Sequence, residues 1–509
     1  MRLKKFGGSA LSVEWILAAG LLAVLGYLLM AESAGFKGFP LDDAWIHQTY
    51  ARNLAELGEW SFLPGQISAG STAPLWSALL AFGRLLGLDY WLWTITLGWL
   101  CLAGLGIAGA KLFGMLVGNA SGRSIAWVGV FLVSEWHLVW AAVSGMETVL
   151  FCGLVLVLFY MLARVERAAA GQVAETWRYW LATGLMIGGL VWVRPDGMTM
   201  LGPAVLVCLA IKTGERQRQT KTKNLLALAA GFGILMIPYL VFNQAISGSW
   251  LPNTFYAKQA EYAVRLETPF IVRAFQLYKL PMIGAGVFLL PGVSWLVAVI
   301  IQRRWWSVGS AVLWWLGYTL IFVMRLPLDY QHGRYLMPTM PVYFILGLVG
   351  TIWLLKVLAT TVYRKRMISF GAASALAGVT LVFYFAGAAA YLDDVGVIET
   401  EMVAAAKWAA VNLPSEALIA AHDIGALGYF GEHSLLDLAG LVSPDVIPFI
   451  GDEEELSKYL NQNGVDYLAI FPGWYPELSG KGVPVYQTNG AIAPKLGDEN
   501  IVIYLWSLP

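Results

Sequence analysis

The chain has 509 residues, 58% of them hydrophobic and only 13% charged, with a mean hydropathy of +0.64. Soluble globular proteins carry about 25% charged residues, so a soluble multidomain protein is excluded, and so are a disordered chain and a collagen-like rod. The 33 basic and 33 acidic residues cancel, which removes the basic excess of a nucleic-acid binder. The three cysteines, Cys101, Cys152 and Cys208, sit in apolar runs and read as buried thiols, not as a disulfide framework.

A bilayer core takes about 20 apolar residues as a helix. Eleven stretches qualify: 11–31, 90–113, 123–143, 147–163, 178–194, 198–211, 224–246, 281–301, 306–323, 337–358 and 367–390. The first lacks a small-residue cleavage site and reads as a retained anchor. With Arg2, Lys4 and Lys5 in the cytoplasm, 19 of the 33 basic residues face that side. Eleven spans then leave the C-terminal tail external. Residues 73–88 are predicted to lie in the outer interface, because a twelfth span there would move the basic loops at 164–178 and 212–223 outside. The expected protein is an α-helical polytopic membrane protein. Its transmembrane domain covers 1–392 and includes a long first outer loop, 32–89. Residues 393–509 carry 17 acidic and 4 basic residues. There, helical patterns (399–412, 453–463) alternate with short apolar runs (417–421, 465–471, 501–506), which predicts a small external α/β domain.

Chemistry-bearing residues cluster between the spans. In the first outer loop Ile46, Tyr50, Leu54 and Leu57 recur at helical spacing, so an interfacial amphipathic helix is expected from near Asp42. Asp43 and His47 share one face of it. Asp42 and Asp43 suit either a helix start or a carboxylate base at the water–membrane boundary. Ser144 and Glu147 fit a capping box. Pro195 breaks a helix, Asp196 can cap the next one, and Arg194 can snorkel or face an anion. Asn253, Tyr256 and Lys258 open a long outer loop, 247–280, of a length that suggests function. Tyr330, His332, Arg334 and Tyr335 precede the tenth span, as an aromatic belt with basic residues or as part of a site. Nearly all these clusters fall on one side. That predicts an outward-facing cavity of carboxylates, Arg, Lys and His, with Arg and Lys suited to a phosphate. Gly231 with Gly233, and Gly284 with Gly286, follow no strand and read as helix contacts, not as a dinucleotide fingerprint. Glu135 and His137 are the notable ionisable pair inside a span. The 23 tryptophans suit both interfacial anchoring and stacking on sugar rings.

Several motifs then resemble one family. LDDAWIHQTYARNL (41–54), SGMET (144–148), RPDG (194–197), LPNTFYAK (251–258), HGRYLMP (332–338), DIGALGYF (423–430) and LLDLAGL (435–441) resemble the GT-C superfamily, membrane glycosyltransferases that use polyprenyl-phosphate sugars. The nearer resemblance is to the terminal arabinofuranosyltransferases of actinobacterial cell walls; aminoarabinose transferases and protein O-mannosyltransferases are more distant. The resemblance implies a GT-C fold of about eleven spans with an external C-terminal domain, in a plasma or inner membrane. It implies a polyprenyl-phosphate sugar donor and an acceptor hydroxyl on a glycan, glycolipid or protein, among membrane lipids and without nucleic acid. A first-loop carboxylate, Asp42 or Asp43, would be the general base. His47, Glu147, Arg194, Asp196, Asn253, Tyr256, Lys258, His332, Arg334 and Tyr335 are the candidates to bind donor phosphate or sugar. Some members use a divalent metal, although no ligand cluster here demands one; no other cofactor is expected. The competing class is a polytopic transporter or lipid-linked sugar flippase, which would show inverted repeats and broken mid-membrane helices.

Overall fold

The computed structural model describes residues 9–118, 122–170, 177–211, 217–359 and 361–506. Arg2, Lys4 and Lys5, on which the orientation rests, and Lys212 and Arg216 of the basic run lie outside the described residues. The helices of the first part are α1 (Ser9–Ser33), α2 (Asp42–Glu56), α3 (Pro74–Leu85), α4 (Tyr90–Val117), α5 (Gly122–Val133), α6 (Trp136–Val143), α7 (Thr148–Ala170) and α8 (Trp177–Val193). They continue as α9 (Leu201–Ala210), α10 (Gln217–Ser247), α11 (Asn253–Glu261), α12 (Phe270–Tyr278), α13 (Leu290–Arg303), α14 (Trp306–Arg325), α15 (Thr339–Leu358) and α16 (Val362–Ile398).

Every predicted span coincides with helix. Among the described residues, eight helices are long and apolar enough to cross a membrane, and α5 with α6 forms a ninth, bent by 58°. The other two predicted spans are shorter: α8 has 17 residues, and α9 follows a 3₁₀ turn, Pro195–Met200, in one short apolar unit. Pro195 cannot continue α8, and the residue before it, Arg194, is extended at φ −155°.

Long helices expose apolar side chains. Leu226, Ile234, Ile237 and Val241 on α10, and Phe370, Leu381, Val382 and Phe385 on α16, are exposed. Water does not tolerate so large a continuous apolar surface, whereas hydrocarbon covers it and helices satisfy their own backbone within it. The chain is a multi-pass membrane protein. Small residues set the close helix contacts, as expected at Gly231: a Cβ there would strike the carbonyl oxygen of Leu181 on α8, and one at Gly184 would strike that of Leu228 on α10. Gly233 meets only Ile237 of its own helix.

The bend between α5 and α6 explains the ionisable pair inside a span. Glu135 accepts the backbone N–H groups of His137 at 3.1 Å and Leu138 at 3.3 Å, and its other oxygen lies 2.9 Å from His137 Nδ1. The buried carboxylate caps the broken helix.

α2 begins at Asp42, as the apolar spacing predicts. α3 has 12 residues, about 18 Å of helix, too short to cross a bilayer. Between them lies a hairpin of β1 (Ser61–Leu63) and β2 (Gln66–Ile67).

After α16 a π-helical turn, Glu399–Val403, leads into α17 (Ala404–Asn412). The tail then contributes β3 (Leu418–Ala421), α18 (Gly425–Phe430), β4 (Ser434–Asp437), α19 (Glu453–Gln462), β5 (Tyr467–Ile470), β6 (Val483–Gln487) and β7 (Val502–Leu505). The sheet order is β4-β3-β5-β7-β6, with β3 parallel to β4 and β5, and β7 antiparallel to its neighbours. Side chains alternate between two cores. Ile419, Ala421, Ala469 and Ile503 join the core of the helical part, while Ala420, Leu468, Ile470 and Val502 pack with Leu456 and Leu460 of α19. Three of these strands are the predicted apolar runs. β4 and β6 lacked a pattern; β6 is a largely exposed edge strand that tolerates Pro484. Glu401 fixes the tail to the last span by accepting from Asn500 Nδ2 at 2.9 Å, Ile501 N–H at 3.0 Å and the Thr488 hydroxyl.

Candidate active site

The first turn of α2 places two adjacent carboxylates with different surroundings. Asp42 accepts the backbone N–H of Gly425 at 2.6 Å with one oxygen and that of Ala426 at 2.8 Å with the other. It thereby satisfies the N-terminus of α18 in the tail. The same tail segment is clamped by Arg52, which donates to the carbonyls of Gly428 at 3.0 Å and Tyr429 at 2.7 Å. The Trp45 ring packs 4.9 Å from Tyr429 and 4.7 Å from Phe430. Burial, then the charge of Asp423, push the Asp42 carboxyl up to about 8 against its two N–H bonds.

Asp43 turns the other way and pairs with Arg334. Burial alone would raise its pKa, but the charges of Arg334 and Lys258 outweigh burial and hold the carboxyl at about 2. It is a carboxylate at neutral pH. Arg334 also donates to the Tyr335 hydroxyl at 3.2 Å. The residue is 6% exposed, yet its Nε and Nη1 have no hydrogen-bond partner among the described residues. Buried donors are normally paired, so these two nitrogens are exceptional.

The loop carrying Arg334 is strained. Gln331, His332 and Gly333 all have left-handed φ values, 50°, 57° and 69°. Each non-glycine residue in that region costs about 1–3 kcal/mol, and the turn is held from below. His332 Nε2 lies 2.7 Å from Asp394 Oδ2 on α16, which also accepts the Trp140 indole N–H at 2.8 Å.

One turn along α2, His47 Nδ1 is 2.9 Å from the Ser77 hydroxyl and Nε2 is 3.7 Å from Glu147. Burial, against the pull of Glu147 and Asp43, lowers its pKa from 6.5 and keeps it neutral. Lys258 lies 3.0 Å from Glu261. Burial opposes its charge, but Glu261, Tyr335 and Asp43 raise its pKa. Glu261, despite burial, is held at about 2 by His422 and Lys258. His422 connects to the tail, with Nε2 3.5 Å from Glu261 and Nδ1 2.7 Å from the Tyr475 hydroxyl.

A second centre lies beyond His47. Arg194 meets Glu147 at 3.3 Å through Nη1, and Asp196 at 3.0 Å through Nη2 and 3.1 Å through Nε. Tyr318 also donates to Asp196. Two carboxylates satisfy this guanidinium.

The structure thus joins Asp43, His47, Glu147, Arg194, Asp196, Lys258, Arg334 and Tyr335 in one polar network. Other candidates have their partners elsewhere. Asn253 donates to the carbonyl of Leu441 at 3.3 Å and ties the loop to the tail. Tyr256 is 37% exposed and packs on Phe255. His332 pairs with Asp394 on α16. Ser144 and Glu147 form no capping box: the Ser144 hydroxyl bonds the carbonyl of Ala141 at 2.8 Å, and Glu147 is drawn to Arg194. Asp196 likewise binds Arg194, not a helix start. The sequence reading missed Tyr318, hidden in an apolar run, and Glu261, whose three-residue spacing from Lys258 was visible. Asp423 opens the DIGALGYF motif and His422 precedes it, but the sequence reading gave neither a place in this network. Among the described residues, no three His, Cys, Asp or Glu side chains converge to hold a metal.

Comparison with solved structures gives similarity over most of this chain at low identity. ArnT from Cupriavidus metallidurans, solved with undecaprenyl phosphate, is 14% identical with a TM-score of 0.56, covering 97% of this chain and 98% of that one. The Archaeoglobus fulgidus oligosaccharyltransferase is 11% identical with a TM-score of 0.61, covering 90% of this chain and 68% of that one. The arabinofuranosyltransferase AftD from Mycobacteria is 15% identical with a TM-score of 0.55, covering 98% of this chain and 42% of that one. A family model described as a domain of unknown function, DUF8728, matches residues 395–504. No curated protein matches the sequence. The architecture common to the three structures is that of the GT-C superfamily, and the chain has a GT-C fold.

Proposed function

We propose that the chain is a glycosyltransferase that moves a sugar from a polyprenyl phosphate to an acceptor hydroxyl. The acceptor would be a glycan, a glycolipid or a protein. The carrying observation is the Arg334 guanidinium, buried against Asp43 with two nitrogens, Nε and Nη1, unpartnered among the described residues. A base and an anion-ready cation in contact are what transfer from a phosphate-linked sugar requires. The similar ArnT structure holds undecaprenyl phosphate, and an archaeal oligosaccharyltransferase structure holds dolichol phosphate, which supports a lipid phosphate as donor. The basic loops would face the cytoplasm, with the site and tail on the external side of a plasma or inner membrane.

In this mechanism Asp43 takes the proton of the acceptor hydroxyl. The acceptor oxygen forms a bond to the anomeric carbon. The bond from that carbon to the phosphate oxygen breaks, and its electron pair leaves with polyprenyl phosphate. Arg334 and Lys258 stabilise the charge gained by the leaving group. Arg334 serves both partners. While it pairs with Asp43 it keeps that carboxylate weakly basic. As phosphate charge grows, the guanidinium shifts its pairing and the basicity of Asp43 rises with the reaction. Asp42 is a poor base, because both its oxygens are bonded to tail backbone.

Release of polyprenyl phosphate from a radiolabelled polyprenyl-phosphate sugar by the purified full chain tests this reading. Asp43→Asn should lose about 10²–10⁴-fold in rate, and Asp42→Asn far less. Full activity in Asp43→Asn would overturn the assignment.

A further inference from the structure

The end of the helix bundle away from the candidate site gathers cations on one aromatic ring. α15 starts beside the Arg334 loop and runs for 20 residues, about 30 Å. Its last turn places Lys356 over the Trp353 ring, 4.4 Å from the centroid. Arg303, in the last turn of α13, lies over the same ring at 4.3 Å. Arg304 then takes a left-handed φ of 52°, uncommon outside glycine. The chain turns back there, and the Trp305 ring stands edge-on to Trp353 at 6.3 Å. Two cations on one ring repel each other unless an anion neutralises them. The chain's own carboxylates do not do so: among the described residues the side chains of Arg303, Arg304 and Lys356 make no ion pair or hydrogen bond. Glu166, on neighbouring α7, is engaged at the start of α14, where it accepts the Trp306 N–H at 2.6 Å and the Ser307 N–H at 2.9 Å. The buried indole N–H of Trp353 is also unpartnered among the described residues.

The surroundings select the kind of anion. Arg303 and Lys356 are exposed, and so are the apolar residues that adjoin them, Ile301 at 77%, Val357 at 59% and Leu358 at 58%. On a spanning helix such a surface faces hydrocarbon, and basic side chains at the helix end reach the headgroup level. A free anion gains nothing from the apolar flank. A lipid with a negative headgroup uses both parts. We propose that this end of the bundle binds an acidic glycerophospholipid: Arg303 and Lys356 hold its phosphate beside Trp353, and its acyl chains lie along Ile301, Val357 and Leu358. Bound there, the lipid neutralises the paired cations and holds the α13–α14 turn against α15. The lipid site is independent of the transfer reading and is about a bilayer thickness from its residues.

Melting of the purified full chain in dodecyl maltoside is followed while dioleoylphosphatidylglycerol, dioleoylphosphatidylcholine or inorganic phosphate is added. The acidic lipid should raise the melting temperature saturably, and the other two should not. Arg303→Gln combined with Lys356→Gln should raise the half-saturating concentration about tenfold or more. Arg364→Gln combined with Arg366→Gln removes the same charge from exposed positions at the start of α16, at the same end of the bundle. That pair should leave the half-saturating concentration within about twofold. Arg303→Lys combined with Lys356→Arg keeps both charges and should retain binding, which separates lost binding from lost folding. No saturable rise in the parent chain, an equal rise with the neutral lipid or with inorganic phosphate, or an equal loss in the two Gln pairs would overturn the lipid site.

Discussion

The chain contains two buried arginine centres of similar composition and opposite state. Arg194 is closed: Glu147 and Asp196 take its donors, and Tyr318 completes the carboxylate shell. Arg334 is open: one carboxylate and one phenol meet a single nitrogen, and two other nitrogens are unpartnered among the described residues. Both arginines lie in motifs rich in charge and aromatic rings, so residue type does not separate them. The balance of donors and acceptors does. A closed guanidinium holds the structure together, while an open one is available to a ligand.

That contrast can be broken experimentally. The largest effect is expected at the closed centre. Arg194→Gln leaves two buried carboxylates facing each other without a cation, which should cost about 3–5 kcal/mol of stability, read as a lowered melting temperature. A stable Arg194→Gln protein with lost phosphate affinity would reverse the assignment of the two centres. Next, Arg334→Gln should lower kcat by about 10²–10³-fold, or ~3–4 kcal/mol, with little change in melting temperature. It should also move the acid limb of kcat/KM upward, because Asp43 is held at about 2 by Arg334 and Lys258 and burial would raise it. An unmoved limb would show that Arg334 does not control that carboxylate.

Asp42→Ala should cost about 1–3 kcal/mol, because it leaves the Gly425 and Ala426 N–H groups without partners; faster proteolysis of the tail would report it. The smallest effect concerns pH. The folded pKa of His422 is raised above 6.5, mainly by Glu261 against burial. Its contribution is therefore complete below 6.5 and lost as pH rises through the folded value. The carboxyl of Glu261 is lowered from 4.5 to about 2. Its contribution is complete above 4.5 and lost as pH falls towards 2. Melting temperature should peak between 4.5 and 6.5, and His422→Gln should flatten the alkaline side. A profile unchanged by that substitution would remove the bridge from the account of tail docking.

Much of the architecture was legible because hydrocarbon imposes a length on every apolar run. The break in α5–α6 is the kind of discontinuity transporters show, but its carboxylate is occupied as a cap, and the polar network lies elsewhere. Local patterns failed where a distant charge competed. Ser144 and Glu147 have the spacing of a capping box, yet Arg194, 47 residues away, takes the carboxylate. Charge-assisted pairing in a buried place is stronger than a backbone cap.

The two aspartates show the division most clearly. Reading along the chain is enough to expect a helix from near Asp42, two carboxylates in its first turn, and most polar residues on one side of an apolar protein. Those follow from period, capping preference and the cost of charge in hydrocarbon. What separates the two aspartates is long-range packing. Asp42 meets tail backbone 383 residues away and Asp43 meets Arg334 291 residues away. Neighbours along one helical turn share a sequence environment, but they point about 100° apart, and the pKa and role of each are set by what the fold brings to its side.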